Sequence, residues 1–244
     1  MLTMCVDVLR SRFRPMLALR CLAVVGALFA GLPVANADLV RSISTGLNAS
    51  ENLQMLGGVD ANYSLITSAD PSVPGPDALV VFTNAFPFPY WVANTSTSQW
   101  ISPDAHGATE PDGLYVFQMT FDLTGYDAST ALISGLWATD NDGLDIKLNG
   151  VSTGYTTGNL SYQSLTSAFS ISDGSASGIL FNSGVNTLQF VVHNEILSSG
   201  NPMGLRVDGT LTARSVPEPA SLSMLAMGGL AGLRTLRRRK AKLS

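Results

Sequence analysis

Between Asp38 and Val216 the chain has no cysteine; its two cysteines, Cys5 and Cys21, stand near the amino terminus. That stretch cannot form a disulfide in any compartment and must be held by its core alone. It is also nearly free of basic residues. Arg41, Lys147, Arg206 and Arg214 face sixteen Asp and Glu residues, a net charge of −12 against −4 for the whole chain. Nucleic-acid binding needs Lys and Arg to neutralise phosphates, so no nucleic-acid partner is expected. Histidine is limited to His106 and His193, and no HExxH zinc pattern occurs. Lys and Glu, common surface helix formers, are scarce, whereas Gly, Ser, Thr and Asn abound. That balance favours strands and turns over helices.

What is present alternates with a period of two. Tyr115, Phe117, Met119 and Phe121 fall on one face of the segment Gly113 to Leu123, with Val116, Gln118, Thr120 and Asp122 on the other. Such a segment is a half-buried strand. Thr187 to His193 and Leu205 to Leu211 alternate in the same way. Shorter strands are expected at Tyr63–Ile66, Ala78–Thr83, Ser98–Ile101, Ala131–Thr139, Leu144–Leu148 and Phe169–Ile171. Asn149-Gly150 predicts a type I′ hairpin turn between Leu144–Leu148 and Val151–Tyr155. Turn clusters are expected at Pro71–Pro76, Pro103–Gly113, Asp140–Gly143, Asp173–Gly178 and Asn182–Gly184. A short helix is expected around Ser50–Leu56. Short strands separated by turns, without helical crossovers, predict an all-β, antiparallel β-sandwich over residues 38–213. Roughly 180 residues suffice for one such core.

Both ends read as targeting segments. Arg10, Arg12, Arg14 and Arg20 precede the apolar run Cys21–Leu32, and Ala35-Asn36-Ala37 is an A-x-A cleavage site. Residues 1–37 are therefore expected to be a signal peptide, helical in its apolar part, removed by the export machinery to leave Asp38 first. At the other end Val216-Pro217-Glu218-Pro219 precedes an apolar run, Ser221–Leu233, and then Arg234, Arg237, Arg238, Arg239 and Lys240. Two prolines fix an extended peptide, the apolar run can enter a bilayer as a transient membrane helix, and the basic cluster stops transfer. This tail, residues 214–244 with Arg214–Val216 as a brief linker, resembles the PEP-CTERM sorting signal of exported proteins in Gram-negative, exopolysaccharide-producing bacteria. The resemblance implies an exosortase-like membrane enzyme as partner. It also implies an inner-membrane intermediate, and then a place in the cell envelope or in the extracellular matrix of a biofilm.

A second resemblance covers most of Trp91 to Ala213. The segments Trp91–Asn94, Ser98–Ile101, Phe121–Gly125, Trp137–Asn141, Ile146–Gly150, Asn186–Phe190 and Gly204–Val207 occur in that order. Together they look like the galactose-binding-like jelly rolls of bacterial exported proteins. That resemblance implies a sandwich that binds sugars on edge loops or in a concave face and often holds a structural calcium ion.

Candidate chemistry is sparse. Asp140, Asn141, Asp142 and Asp145 are the densest oxygen cluster and the candidate calcium ligands. The alternative is a polar turn, where Asn, Asp and Gly supply the backbone angles. Phe86-Pro87-Phe88-Pro89-Tyr90-Trp91 is an aromatic-proline loop whose faces could stack on sugar rings. The candidate ligand-binding residues are Phe88, Tyr90, Tyr155 and Arg206, with Tyr162 a further surface aromatic. Trp91, Trp100 and Trp137 are expected in the core. Arg206 with Asp208, and Lys147 with Asp145, are expected to form structural ion pairs. No catalytic residue is assigned. Gly174–Gly178 resembles a nucleophile elbow but carries Ala176 where Ser is needed. The expected function is an exported, non-enzymatic envelope or matrix protein that binds carbohydrate or serves structurally. The alternatives are a secreted polysaccharide hydrolase working through two carboxylates and a surface- or ice-adhesion protein.

Overall fold

Apolar-polar alternation places most strands of the computed structural model, which describes residues 37–195 and 201–216. The expected signal helix and membrane helix, with Ala35, Pro217–Pro219 and the basic cluster Arg234–Lys240, lie outside these residues. Among the described residues no helix is long and apolar enough to cross a membrane. The strands are β1 (Leu39–Ser42), β2 (Val59–Thr67), β3 (Asp77–Val80), β4 (Ile101–Ser102), β5 (Gly113–Asp122), β6 (Tyr126–Asp140), β7 (Asp142–Leu148), β8 (Val151–Ser152), β9 (Ser167–Ser172), β10 (Val185–Asn194) and β11 (Gly204–Ser215). One 3-10 turn, Ser161–Gln163, follows β8.

Every pairing is antiparallel, and the order is β8-β7-β10-β5-β2-β3-β4-β11-β6-β9, with β1 added to β11. The ladder is thinnest in the middle. β2 pairs with β3 through a shifted register, and β4 meets β11 at Leu205 alone. Irregular pairing lets a sheet bend sharply, and here the sheet curls into a half-barrel. Its two ends face each other: Trp137 of β6 lies 5.4 Å from Phe190 of β10, although these strands are far apart in the sheet order. The architecture is all-β and consistent with a sandwich.

The buried face is the one the alternation selects. Tyr115, Phe117, Met119 and Phe121 are buried, as are Leu188, Phe190 and Val192, and Leu205, Val207 and Leu211. Trp91, Trp100 and Trp137 are all core residues. The hairpin turn forms as expected. Asn149 and Gly150 both take positive φ, 51° and 81°, and Leu148 pairs with Val151. Its second strand stops at Ser152 rather than reaching Tyr155.

Several expectations are corrected. Ser50–Leu56 is no helix. The Asn48 side chain accepts the N–H groups of Ser50 and Asn52, and Leu47 bridges to Leu53, so a side-chain-closed turn replaces it. The expected strand Ser98–Ile101 shrinks to β4. Gln99 is diverted, its side-chain amide donating to the carbonyls of Gly46 and Gln54. The strand expected at Ala78–Thr83 ends at Val80. Asp140–Gly143 is not an open turn, since Asn141 alone separates β6 from β7. Gly143 is needed there because a Cβ would run into the Trp137 ring. Arg214–Val216 is not a linker: Arg214 and Ser215 belong to β11, and Val216 N–H bonds Gly125 O. β1 escaped notice because four residues beside a targeting segment carry too little pattern.

Phe190 joins the two facing halves, touching Tyr63 at 5.9 Å, Trp137 at 5.4 Å and Phe169 at 5.9 Å between ring centroids. Phe190→Ala should cost about 3–5 kcal/mol of folding stability, measured by denaturant unfolding. A loss below about 1 kcal/mol would show that these rings do not hold the halves together.

Candidate functional site

The site is built on the carboxyl end of β6. Trp91 is 2 % exposed and stacks on Trp100 at 4.4 Å, in a small second cluster with Val81 and Ala138. This anchors the aromatic-proline loop. Trp91 also has a polar task, since its Nε1–H donates to Asp140 Oδ2 at 2.7 Å. Asn141 Nδ2 donates to the other oxygen, Oδ1, at 2.9 Å. Asn141 Oδ1 in turn accepts from Glu195 N–H at 2.8 Å and from Asn201 Nδ2 at 2.5 Å. A buried carboxyl is thus fixed at the meeting of the Trp91 loop, the β6–β7 junction and the segments before and after residues 196–200.

A cleft of about 670 Å³ opens over this network. One part of its wall is apolar, from Phe86, Tyr90, Leu160 and Tyr162; the other is polar, from Asp140, Asn141, Asn159 and Glu195. Phe86 and Tyr90 are 50 % and 68 % exposed and meet edge-to-face at 6.0 Å. The Tyr162 segment is fastened by Val92 N–H to Tyr162 O at 2.7 Å. Ser161 Oγ further secures it, accepting Thr139 N–H and donating to Thr139 O, both at 2.9 Å.

Burial pushes the Asp140 carboxyl up to about 7; the Trp91 hydrogen bond works against that rise and the charge of Glu195 adds to it. The cleft therefore holds a carboxyl whose titration is moved up toward neutrality. Sequence reasoning missed this network, because Glu195 and Asn201 have no motif spacing, and neither has Asn159 of the cleft wall. The signal that could have found it was the Asp140–Asn141 pair at the end of a long apolar strand.

The residues singled out from the sequence are scattered. Tyr90 lines the cleft. Phe88 does not; it is half-buried and packs edge-on against Trp91 at 6.0 Å. Tyr155 lies against Phe169, and its hydroxyl donates to Ser170 O at 2.8 Å. Arg206 is fully buried and is spent on the loop behind the cleft. It donates from Nε to Ser98 Oγ at 3.0 Å, from Nη1 to Ala93 O at 2.5 Å and from Nη2 to Thr95 Oγ1 at 3.1 Å. Burial lowers its pKa, with Asp208 acting in the other direction.

Neither expected ion pair forms. Ser98 Oγ stands between Arg206 and Asp208, donating to Asp208 Oδ2 at 3.2 Å. Asp145 instead accepts Gly154 N–H at 3.2 Å. Among the described residues the side-chain pair of this type within 4 Å is His193 Nε2 with Asp112 Oδ1, at 3.5 Å, an ion pair only when the imidazole is protonated. His106 packs against Phe82. Of the candidate calcium ligands, Asp140 and Asn141 share the cleft. Among the described residues no three or more His, Cys, Asp or Glu side chains gather as a metal site.

Two further carboxyls are raised by burial. Asp60, 4 % exposed, rises to about 6 although Tyr63, Gly46 and Asn62 donate backbone N–H bonds to it. Glu110, 5 % exposed, rises to about 7 with Asp104 and Asp70 adding to the effect. Asp60, Glu110 and Asp140 all bind their protons more tightly in the folded protein than in the unfolded chain. Their favourable contribution is complete below about pH 4 and is lost as pH rises through 6 to 7. The melting temperature should fall between pH 5 and pH 8, and Asp140→Asn with Glu110→Gln should flatten the fall. A melting temperature that climbs over this interval in the unmodified protein would contradict the assignment.

Comparison with known proteins adds the tail. Residues 215–240 match the PEP-CTERM protein-sorting motif, and no curated protein matches the chain. The motif indicates an exported protein that is processed by exosortase, a membrane enzyme, and sorted to the cell envelope or extracellular space.

Proposed function

We propose that the protein is a non-enzymatic carbohydrate-binding component of the envelope or extracellular matrix, and that polysaccharide docks in the cleft beside Phe86 and Tyr90. The observation that carries this reading is the composition of the cleft walls. Exposed aromatic faces stack on the C–H faces of sugar rings, while the carboxyl and amide groups of the same cleft accept from and donate to ring hydroxyls. The loop prolines and the buried Trp91 hold the aromatics in place, which reduces the ordering cost of binding. The alternation of the chain between the two halves of the curled sheet supports the galactose-binding-like jelly roll as the finer description of the fold.

One observation favours a second reading. Asp140, raised toward neutrality by burial, shares the cleft with Glu195, the pairing of residue types that a glycosidase acid and its partner carboxylate use. Against it, both Asp140 oxygens already accept hydrogen bonds from Trp91 and Asn141, and the side chain is 4 % exposed. It is better placed to brace the cleft than to protonate a leaving group.

A glycan array, together with pull-down on exopolysaccharide from the producing cells, tests the proposal. Binding should be found, and Tyr90→Ala should weaken it about tenfold, near 1.4 kcal/mol, without lowering the melting temperature. Reducing ends released from the bound polymer would favour the hydrolase, and no binding on either platform would leave a structural role.

A further inference from the structure

The sorting motif begins inside the folded body. Its first residue, Ser215, is the last residue of β11 and pairs with Tyr126 of β6. Three consecutive backbone donors leading to Pro217 are already used. Arg214 N–H bonds Thr130 Oγ1 at 2.9 Å, Ser215 N–H bonds Asp38 Oδ1 at 3.0 Å, and Val216 N–H bonds Gly125 O at 3.0 Å. Pro217 and Pro219 have no N–H to offer. The donors of the three residues that lead into the proline motif are thus all spent on contacts within the body.

An enzyme that takes an extended peptide does so largely through main-chain hydrogen bonds. Pro217 follows the bonded Val216 directly, about 3.5 Å of chain further on. The enzyme must therefore either work flush against the body or draw the end of β11 away from it. Asp38 gives the clasp a second feature. It is the residue expected to stand first after leader removal, and its carboxylate is the acceptor that holds Ser215.

We propose that the end of β11 is a latch on the sorting motif: the processing membrane enzyme engages Pro217–Pro219 only after Arg214–Val216 are drawn off Thr130, Asp38 and Gly125. Release of this latch sets the rate at which the tail is removed. The edge of the body formed by Asp38, Gly125 and Thr130 is the surface that meets the enzyme.

The test is pulse–chase of the full chain in cells that hold the processing enzyme, with tail removal followed by mass. A six-residue Gly-Ser insertion between Val216 and Pro217 changes no body residue and supplies reach; it should speed processing several-fold. Asp38→Ala combined with Thr130→Val removes two acceptors and should also speed it. Asp38→Asn combined with Thr130→Ser keeps both acceptors and should process at the native rate. Ser215→Cys with Tyr126→Cys places a disulfide across a paired position in a body that has no other cysteine. It should slow processing several-fold, and reductant should reverse the effect. Thermal melting checks that each variant is folded, and the insertion keeps the test independent of any that is not. Native rates for both the insertion and the oxidised double-cysteine variant would overturn the latch, as would slower processing of the insertion.

Discussion

Without a disulfide, this body depends on a handful of aromatic side chains to keep a curled sheet closed. Hydrogen bonds along a ladder join neighbouring strands only. They cannot join β6 to β10, which face each other across the interior. That task falls to Trp137 and Phe169 on one half and Phe190 and Tyr63 on the other. The bend that brings the halves together is itself a weakness in the ladder, at the shifted β2–β3 register and the two-residue β4. Side-chain burial thus compensates where backbone pairing thins out, and apolar packing of aromatic size is large enough to do so.

The cleft inherits its rigidity from the same economy. Trp91 is buried for packing, yet its indole N–H needs a partner, and Asp140 at the end of β6 provides it. Asp140 in turn needs its second oxygen satisfied, and Asn141 does so. Each buried polar group is secured by the next, out to Glu195 and Asn201. On the far side Arg206 braces the loop that follows Trp91 through carbonyls and hydroxyls instead of a carboxylate. A buried cation without a directly bonded counter-ion is costly unless its donors are well matched. Its burial therefore ties this loop firmly to β11.

Strands with strong alternation were legible in the sequence because each has one wet and one dry face. The buried faces of β5 and β10 and most of that of β11 could be assigned from the alternation, and the Asn149-Gly150 turn followed from the positive φ that only such residues accept readily. Local pattern failed where tertiary contacts decided the outcome. Gln99 left its strand because two carbonyls of a distant loop needed a donor. Arg206 lies on the polar side of an alternating strand and is nonetheless fully buried, because the Val92–Ser98 loop folds over it. The cleft was half legible. Phe86 and Tyr90 came from one contiguous loop, and Tyr90 and Tyr162 could be named. Its polar wall combines Asp140, Asn159 and Glu195 from segments that no spacing rule connects.

One strand relates the two functional regions. β6 runs from Tyr126, paired with Ser215 where the sorting motif starts, to Asp140, paired with Gly204 beneath the cleft. Fifteen residues at the usual rise span roughly 45–50 Å. The cleft therefore lies at the opposite end of β6 from the point where the motif leaves the body. The pairing of β6 with β11 is the longest among the described strands. The proposed binding cleft and the proposed latch thus draw on one pair of strands at opposite ends of its length.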